Sequence, residues 1–227
     1  MKKKTYLILS AMKEELDGLC VHLPLVSKNE GKFSYSFFEN DSIRVYAMQS
    51  GIGKVAMAMT MSSFLATHEV DEVINVGVAG SISSKLKKMQ IFVGERCCYH
   101  DVDVTEFGYS IGQMCSMPLY YECDSELVKK ALVIDSKRIV SGLIISGDSF
   151  VSKNKINQSW FKNFDNPIAC DMESAAVGQV CHTLNIPFLI IRSISDDTSE
   201  EGNKAIYDGN LEEACKIAGE VVAKLIQ

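Results

Sequence analysis

The sequence predicts an α/β domain built on a mostly parallel or mixed sheet. Three observations carry this. Strand-like and helix-like segments alternate along the whole chain. Several strand segments are continuously apolar rather than alternating, the pattern of strands buried on both faces. The 227 residues contain no internal repeat, low-complexity tract or Pro/Gly-rich linker, so one domain spanning 1–227 is expected.

The elements follow in order. Thr5–Ser10 is a buried strand, and Met12 to about Val21 a helix. Phe33–Glu39 and Ile43–Ser50 form a strand pair turned at Asn40-Asp41. Gly51-Ile52-Gly53-Lys54 opens a helix running to about His68, rich in small residues that allow close packing on a sheet. Glu72–Val78 is a short strand ending in Ala79-Gly80-Ser81, and Ile91–Tyr99 is another strand. Ser125–Ile134 is helical with Asp124 placed to cap it. Arg138–Ser146 is a strand closed by Gly147-Asp148. Met172–Leu184 is a helix with Asp171 as cap and Met172, Ala176, Val180 and Leu184 one turn apart. Pro187–Ile194 is a strongly apolar strand, and Leu211–Leu225 an amphipathic helix.

Composition removes several classes of function. The chain is 47% apolar and 23% charged, the balance of a globular protein rather than a disordered one. A net charge of −6 lacks the basic footprint that nucleic-acid binding needs. No apolar run reaches the roughly 18–20 residues of a membrane span. Lys2–Lys4 followed by Tyr6–Leu9 imitates a leader, but Lys13, Glu14 and Glu15 interrupt the apolar stretch. A first strand and a cytoplasmic location are the expectation. Eight cysteines occur without a C-x-x-C pair, so small buried hydrophobes are expected rather than disulfides or a zinc site.

Ligands of such sheets gather at the carboxyl ends of strands. There the chain places Met12, Glu14 and Glu15, then Ser50–Gly53, Val78–Gly80, Ser146–Val151, and Ser195-Asp196-Asp197, with Met172-Glu173 at a helix start. Gly51-x-Gly53 lacks the third glycine of a dinucleotide fingerprint, and no P-loop is present. Arg192 is the most informative residue, because a lone arginine in an apolar strand needs a carboxylate or polar partner. Taken singly, each acid is better read without chemistry: Glu173 as a first-turn helix acid, Asp196 as a cap for a following loop, and Glu15 as a solvated helix residue beside Glu14.

The ordered set of words is more specific. Ala11-Met12-x-Glu14-Glu15, Ser50-Gly51-Ile52-Gly53-Lys54-Val55-Ala56, Asn75-x-Gly77-x-Ala79-Gly80, Tyr99-His100-Asp101-x-Asp103-Val104-Thr105-x-Phe107-Gly108-Tyr109, Ser146-Gly147-Asp148-x-Phe150, Met172-Glu173 and Arg192-x-Ile194-Ser195-Asp196 run from near Leu7 to the last helix. Together they resemble the 5′-methylthioadenosine/S-adenosylhomocysteine nucleosidases of the purine nucleoside phosphorylase superfamily.

The resemblance implies a three-layer α/β/α sandwich around a mixed, partly barrel-like sheet, and a homodimer. It implies hydrolysis of an adenine nucleoside's N-glycosidic bond, with water as co-substrate and no cofactor or metal. The substrates implied are 5′-methylthioadenosine, S-adenosylhomocysteine and 5′-deoxyadenosine. By the same resemblance Asp196 is the acid at adenine N7. Glu15 is the base that activates water, Arg192 helps hold that water and carboxylate, and Glu173 with Met172 faces the ribose. Phe150 stacks on adenine, and the main chain of Val151 reads its edge. Met12, Ile52 and Tyr207 border the sugar and its 5′ group. Val78, Ala79, Gly80 and Ser195 line the site, and Phe107 reaches it from a partner subunit.

Val78 departs from the Ser or Thr of many members, and 114–124 has no clear counterpart in the family pattern. A phosphate-using purine nucleoside phosphorylase and a non-catalytic nucleoside-binding protein on the same fold stay open as alternatives. His100-Asp101-x-Asp103 admits a metal site, but a hydrogen-bonded cluster explains it as well.

Overall fold

A computed structural model describes residues 2–227. In chain order the elements are β1 (Lys4–Ser10), α1 (Lys13–Cys20), β2 (Val26–Glu30), β3 (Phe33–Glu39), β4 (Ile43–Gln49), α2 (Lys54–Leu65), β5 (Glu72–Ser81) and β6 (Ile91–Tyr99). They continue with β7 (Tyr121–Glu122), α3 (Ser125–Ile134), β8 (Ile139–Ser146), α4 (Trp160–Asn163), β9 (Pro167–Asp171), α5 (Ser174–Leu184), β10 (Phe188–Asp197) and α6 (Asn203–Ile226).

All ten strands belong to one mixed sheet. From one edge it runs β2-β3-β4-β1-β5, with β1 parallel to both β4 and β5. Beyond β5 the sheet closes on itself through β9, β8, β6 and β10, because β10 returns to pair parallel with β5. A five-stranded barrel thus grows from an open sheet. Layers of helices flank it: α1 packs with α6, and α2 packs with α5. Strands at the centre of this sheet, β1 between β4 and β5, and β5 and β10 in the barrel wall, are almost wholly buried, which is why they read as largely apolar.

Asp124 caps α3, its Oδ1 accepting from the amides of Glu126 (3.0 Å) and Leu127 (2.9 Å). Several boundaries differ from the sequence expectation. β2 is entirely exposed and polar after Val26, so only its pairing with β3 makes it a strand. β9 is five residues beginning at a proline, too short to show a period. Of the stripe expected on α5 only Ala176 is fully buried. Met172 precedes the helix and Leu184 is 47% exposed, whereas Ala175, Ala176, Val177, Gly178 and Cys181 are buried. α6 begins at Asn203 rather than Leu211, because its polar first turns are held by the rest of the fold. β10 continues through Asp197, so Ser195 and Asp196 lie on the strand and not after it. Its register against β5 slips between Ile194 and Asp196, an irregularity that re-aims the side chains there.

Candidate active site

A cavity of about 390 Å³ opens where β1, β4, β5, β8, β9 and β10 end, within the usual range for small-molecule sites. Each wall comes from a separate stretch of chain. Met12 and Glu15 come from the start of α1, Ile52 from the turn after β4, and Val78, Ala79 and Gly80 from the end of β5. Phe150 and Val151 follow β8, Met172 and Glu173 follow β9, and Ser195 and Asp196 end β10. Tyr207 closes one side from α6. The three acids are 5%, 7% and 2% exposed (Glu15, Glu173, Asp196), so carboxylates distant in sequence share one desolvated space.

Glu15 lies in the first turn of α1 and folds back on the chain. Its Oε2 accepts from the amides of Ala11 (2.8 Å) and Met12 (3.0 Å), and its Oε1 from the amide of Val78 (3.0 Å). The residue therefore does cap its helix, while also joining α1 to β5 at the cavity wall. Burial pushes its carboxyl above the ordinary glutamate value; the Arg192 charge and the three amides oppose this.

Glu173 precedes α5, and its Oε1 accepts from the amide of Gly53 at 2.8 Å. Gly53 has φ +96°, a conformation that side-chain-bearing residues rarely adopt, and this aims its N–H at the acid. Burial raises the Glu173 carboxyl, and the nearby charge of Asp171 raises it further. Asp196 accepts from Ser195 Oγ on Oδ1 and from Asn203 Nδ2 on Oδ2, both at 2.8 Å. Burial lifts its carboxyl too, against the pull of those two donors.

Arg192 sits beneath the cavity and does not line it. Its Nε and Nη2 donate to Asp171 Oδ2 at 3.1 and 2.9 Å, and Nη2 also donates to Asn75 Oδ1 and to Ser174 Oγ. The carboxylate it holds is Asp171, and its hydrogen bonds do not reach Glu15. Asp171 in turn accepts from Ser146 Oγ at 2.5 Å and from Ser174 Oγ. Arg192 influences Glu15 only through space.

Phe150 and Tyr207 meet edge to face, their centroids 5.6 Å apart, and Tyr207 Oη reaches Met12 Sδ at 3.3 Å. Phe107 is 77% exposed on a short turn at 105–107 and is absent from this cavity.

Sequence reasoning missed Asp171 as more than a helix cap, along with Ser149, Cys170, Thr198, Lys204 and Leu211 in the lining. The one usable signal was Asp171 immediately before Met172-Glu173, read as a capping residue. The His100–Asp103 cluster is occupied otherwise. Asp101 binds Lys54 Nζ (2.7 Å) and the amide of Asp148 (3.0 Å), and Asp103 accepts from Thr105. Among the described residues no three His, Cys, Asp or Glu side chains group to hold a metal ion.

Comparison with known proteins fits this geometry. Residues 5–227 match the phosphorylase superfamily, the class that this barrel and its carboxylate-lined cavity define. The chain is 32% identical to the 5′-methylthioadenosine/S-adenosylhomocysteine nucleosidase of Staphylococcus carnosus, over 97% of this chain and 98% of that one. It is 34% identical to that of Desulfotalea psychrophila, over 97% and 96%. The structure of the Streptococcus pneumoniae nucleosidase with the transition-state inhibitor MT-ImmA superposes with a TM-score of 0.89 at 35% identity, covering 98% of both chains. The chain belongs to the 5′-methylthioadenosine/S-adenosylhomocysteine nucleosidase family.

Proposed function

We infer that this chain hydrolyses the N-glycosidic bond of 5′-methylthioadenosine and S-adenosylhomocysteine, releasing adenine and a 5-thio-substituted ribose. The carrying observation is the convergence of Glu15, Glu173 and Asp196, all buried, on one largely apolar cavity. Cleavage of such a bond develops positive charge on the sugar and negative charge on the base. A site that protonates the base, steadies the cation and delivers water needs separate carboxyl groups in separate roles.

Asp196 is assigned the acid. Its raised carboxyl keeps a proton at a pH where an exposed aspartate would have lost it, and it passes that proton to adenine N7 as the C1′–N9 pair moves onto the base. Glu15 is assigned the base, taking a proton from the water whose oxygen bonds to C1′. Glu173 uses Oε2 for the ribose hydroxyls while Gly53 holds Oε1. Arg192 acts at one remove: it fixes Asp171 under the site, and its charge offsets part of the burial that raises Glu15. Phe150 stacks on the base, and Val151 reads its edge. Met12, Ile52 and Tyr207 border the 5′ group, which also suits 5′-deoxyadenosine.

Hydrolysis is favoured over phosphorolysis by the placement of cations. Arg44 pairs with Glu39, Arg96 with Asp165, Arg138 with Asp135 and Arg192 with Asp171. Lys204, the cation on the wall, pairs with Asp208. A phosphate co-substrate would lack the paired arginines that usually bind it. Release of adenine should therefore be independent of phosphate. A rate that rises from near zero with added phosphate would reverse the assignment, and binding without any release would make the protein a nucleoside-binding module.

A homodimer is proposed from the exposed apolar side chains of Ile52, Val55 and Met59, which follow at helical spacing into α2, and of Phe107. The cytoplasm is proposed from the eight free thiols. Among the described residues no helix is long and apolar enough to cross a membrane.

A further inference from the structure

Asn203 opens α6 and is only 2% exposed. Its side-chain amide nitrogen donates to two acceptors at once: the carbonyl oxygen of Val151 at 3.0 Å and Asp196 Oδ2 at 2.8 Å. Both Val151 and Asp196 line the cavity. On the functional reading above, both also belong to the base. Adenine carries its amino group on the carbon next to the five-membered ring, beside N7. A carboxyl that serves N7 with one oxygen thus presents its other oxygen to that amine, and a main-chain carbonyl reading the same edge accepts the amine's second hydrogen.

A carboxamide NH₂ and a purine 6-amino group are alike: planar nitrogens carrying two donors about 120° apart. We propose that Asn203 is an internal stand-in for the exocyclic amine of adenine, and that the base binds by displacing it from Val151 and Asp196. This rests on the assignment of those two residues to base recognition.

One feature makes the exchange feasible. The segment leading into α6 is anchored inside at Thr198, whose N–H and Oγ1 donate to Ser81 O at 3.0 and 2.8 Å, and beyond it is fastened outside by the exposed pairs Lys88–Glu200 and Lys153–Glu201, at 3.0 and 3.1 Å. Such surface pairs contribute little, so the first turn can yield at small cost.

Titration calorimetry with adenine on the wild-type and Asn203→Ala proteins, beside a crystal structure of the wild-type adenine complex, tests this. Removing the competitor leaves water as the only rival for the two acceptors. The variant should then bind adenine about tenfold more tightly, a change of roughly 1.4 kcal/mol. In the wild-type complex the Asn203 amide should have left Val151 O. An unchanged or weaker affinity in the variant would overturn the proposal and make Asn203 a positioning residue. So would a complex in which the amide nitrogen stays within about 3.2 Å of both acceptors; adenine seated on Asp196 there would leave the functional reading standing. The wild-type complex decides the matter alone if the variant fails to fold. Failure of the wild-type chain to bind adenine would overturn both readings.

Discussion

Replacing Asp171 by Asn leaves the shape of the buried network nearly intact and removes one charge. The side chains of Asp171 and Arg192 are each 2% exposed. The wild-type carboxylate accepts from Arg192 Nε and Nη2, from Ser146 Oγ and from Ser174. In Asp171→Asn the guanidinium stays buried without a counter-charge, and one end of the amide points donors at donors. Breaking a buried pair from one side costs about 3–5 kcal/mol. For a domain of this size each kcal/mol moves Tm by about 2–4 °C, so a fall of roughly 6–20 °C is expected. Urea unfolding would measure the free energy and a thermal melt the midpoint. The double variant Asp171→Asn/Arg192→Met removes both charges and should recover much of the loss. Activity supplies a second readout. An uncompensated Arg192 draws the Glu15 carboxyl down, so the acid limb of kcat/KM should move to lower pH. A single-variant loss below about 1 kcal/mol, or losses that simply add in the double variant, would refute the account of this network.

Three further outcomes are expected. Asp196→Asn should cut adenine release by about 10²–10⁴-fold while the chain stays folded. Burial raises the Asp196 carboxyl above its ordinary value of 3.8, so the native chain binds more protons than the unfolded one above that pH. Wild-type stability is therefore lost as pH climbs from the ordinary value through the raised one, and the asparagine variant should escape that loss in paired denaturant titrations at acid and neutral pH. Gly77→Ala would place a Cβ 2.2 Å from Glu15 Oε1, displacing an acid held by three amides. Its kcat should collapse while KM for the nucleoside changes little, and steady-state kinetics with full wild-type kcat would dismiss the role given to Glu15. Met59→Asp on the exposed face of α2 should convert a dimer into monomers in sedimentation velocity and lower activity, whereas an unchanged sedimentation coefficient would remove that face as the interface.

The sequence by itself determined the layered α/β class, most strand and helix positions, and the identity of the three cavity acids. Continuous apolar strands read as doubly buried because burial on both faces leaves no polar register, and the ordered motifs lie at strand ends, where the loops of this architecture meet. Only the tertiary structure decided the rest. β2 and β9 are strands because neighbours pair with them, which no local period announces. Barrel closure sets β9 beside β5 and Asp171 against Arg192, so the arginine's carboxylate came from a residue read as a helix cap. The same folding buries Glu15, which the linear chain offers equally as a solvated helix residue beside Glu14, and makes it both a helix cap and a cavity wall. Asn203, outside every motif, reaches Val151 and Asp196 only when α6 is laid across the barrel mouth. Hydrogen bonds and desolvation act over ångströms in space, and separation along the chain carries no record of those distances.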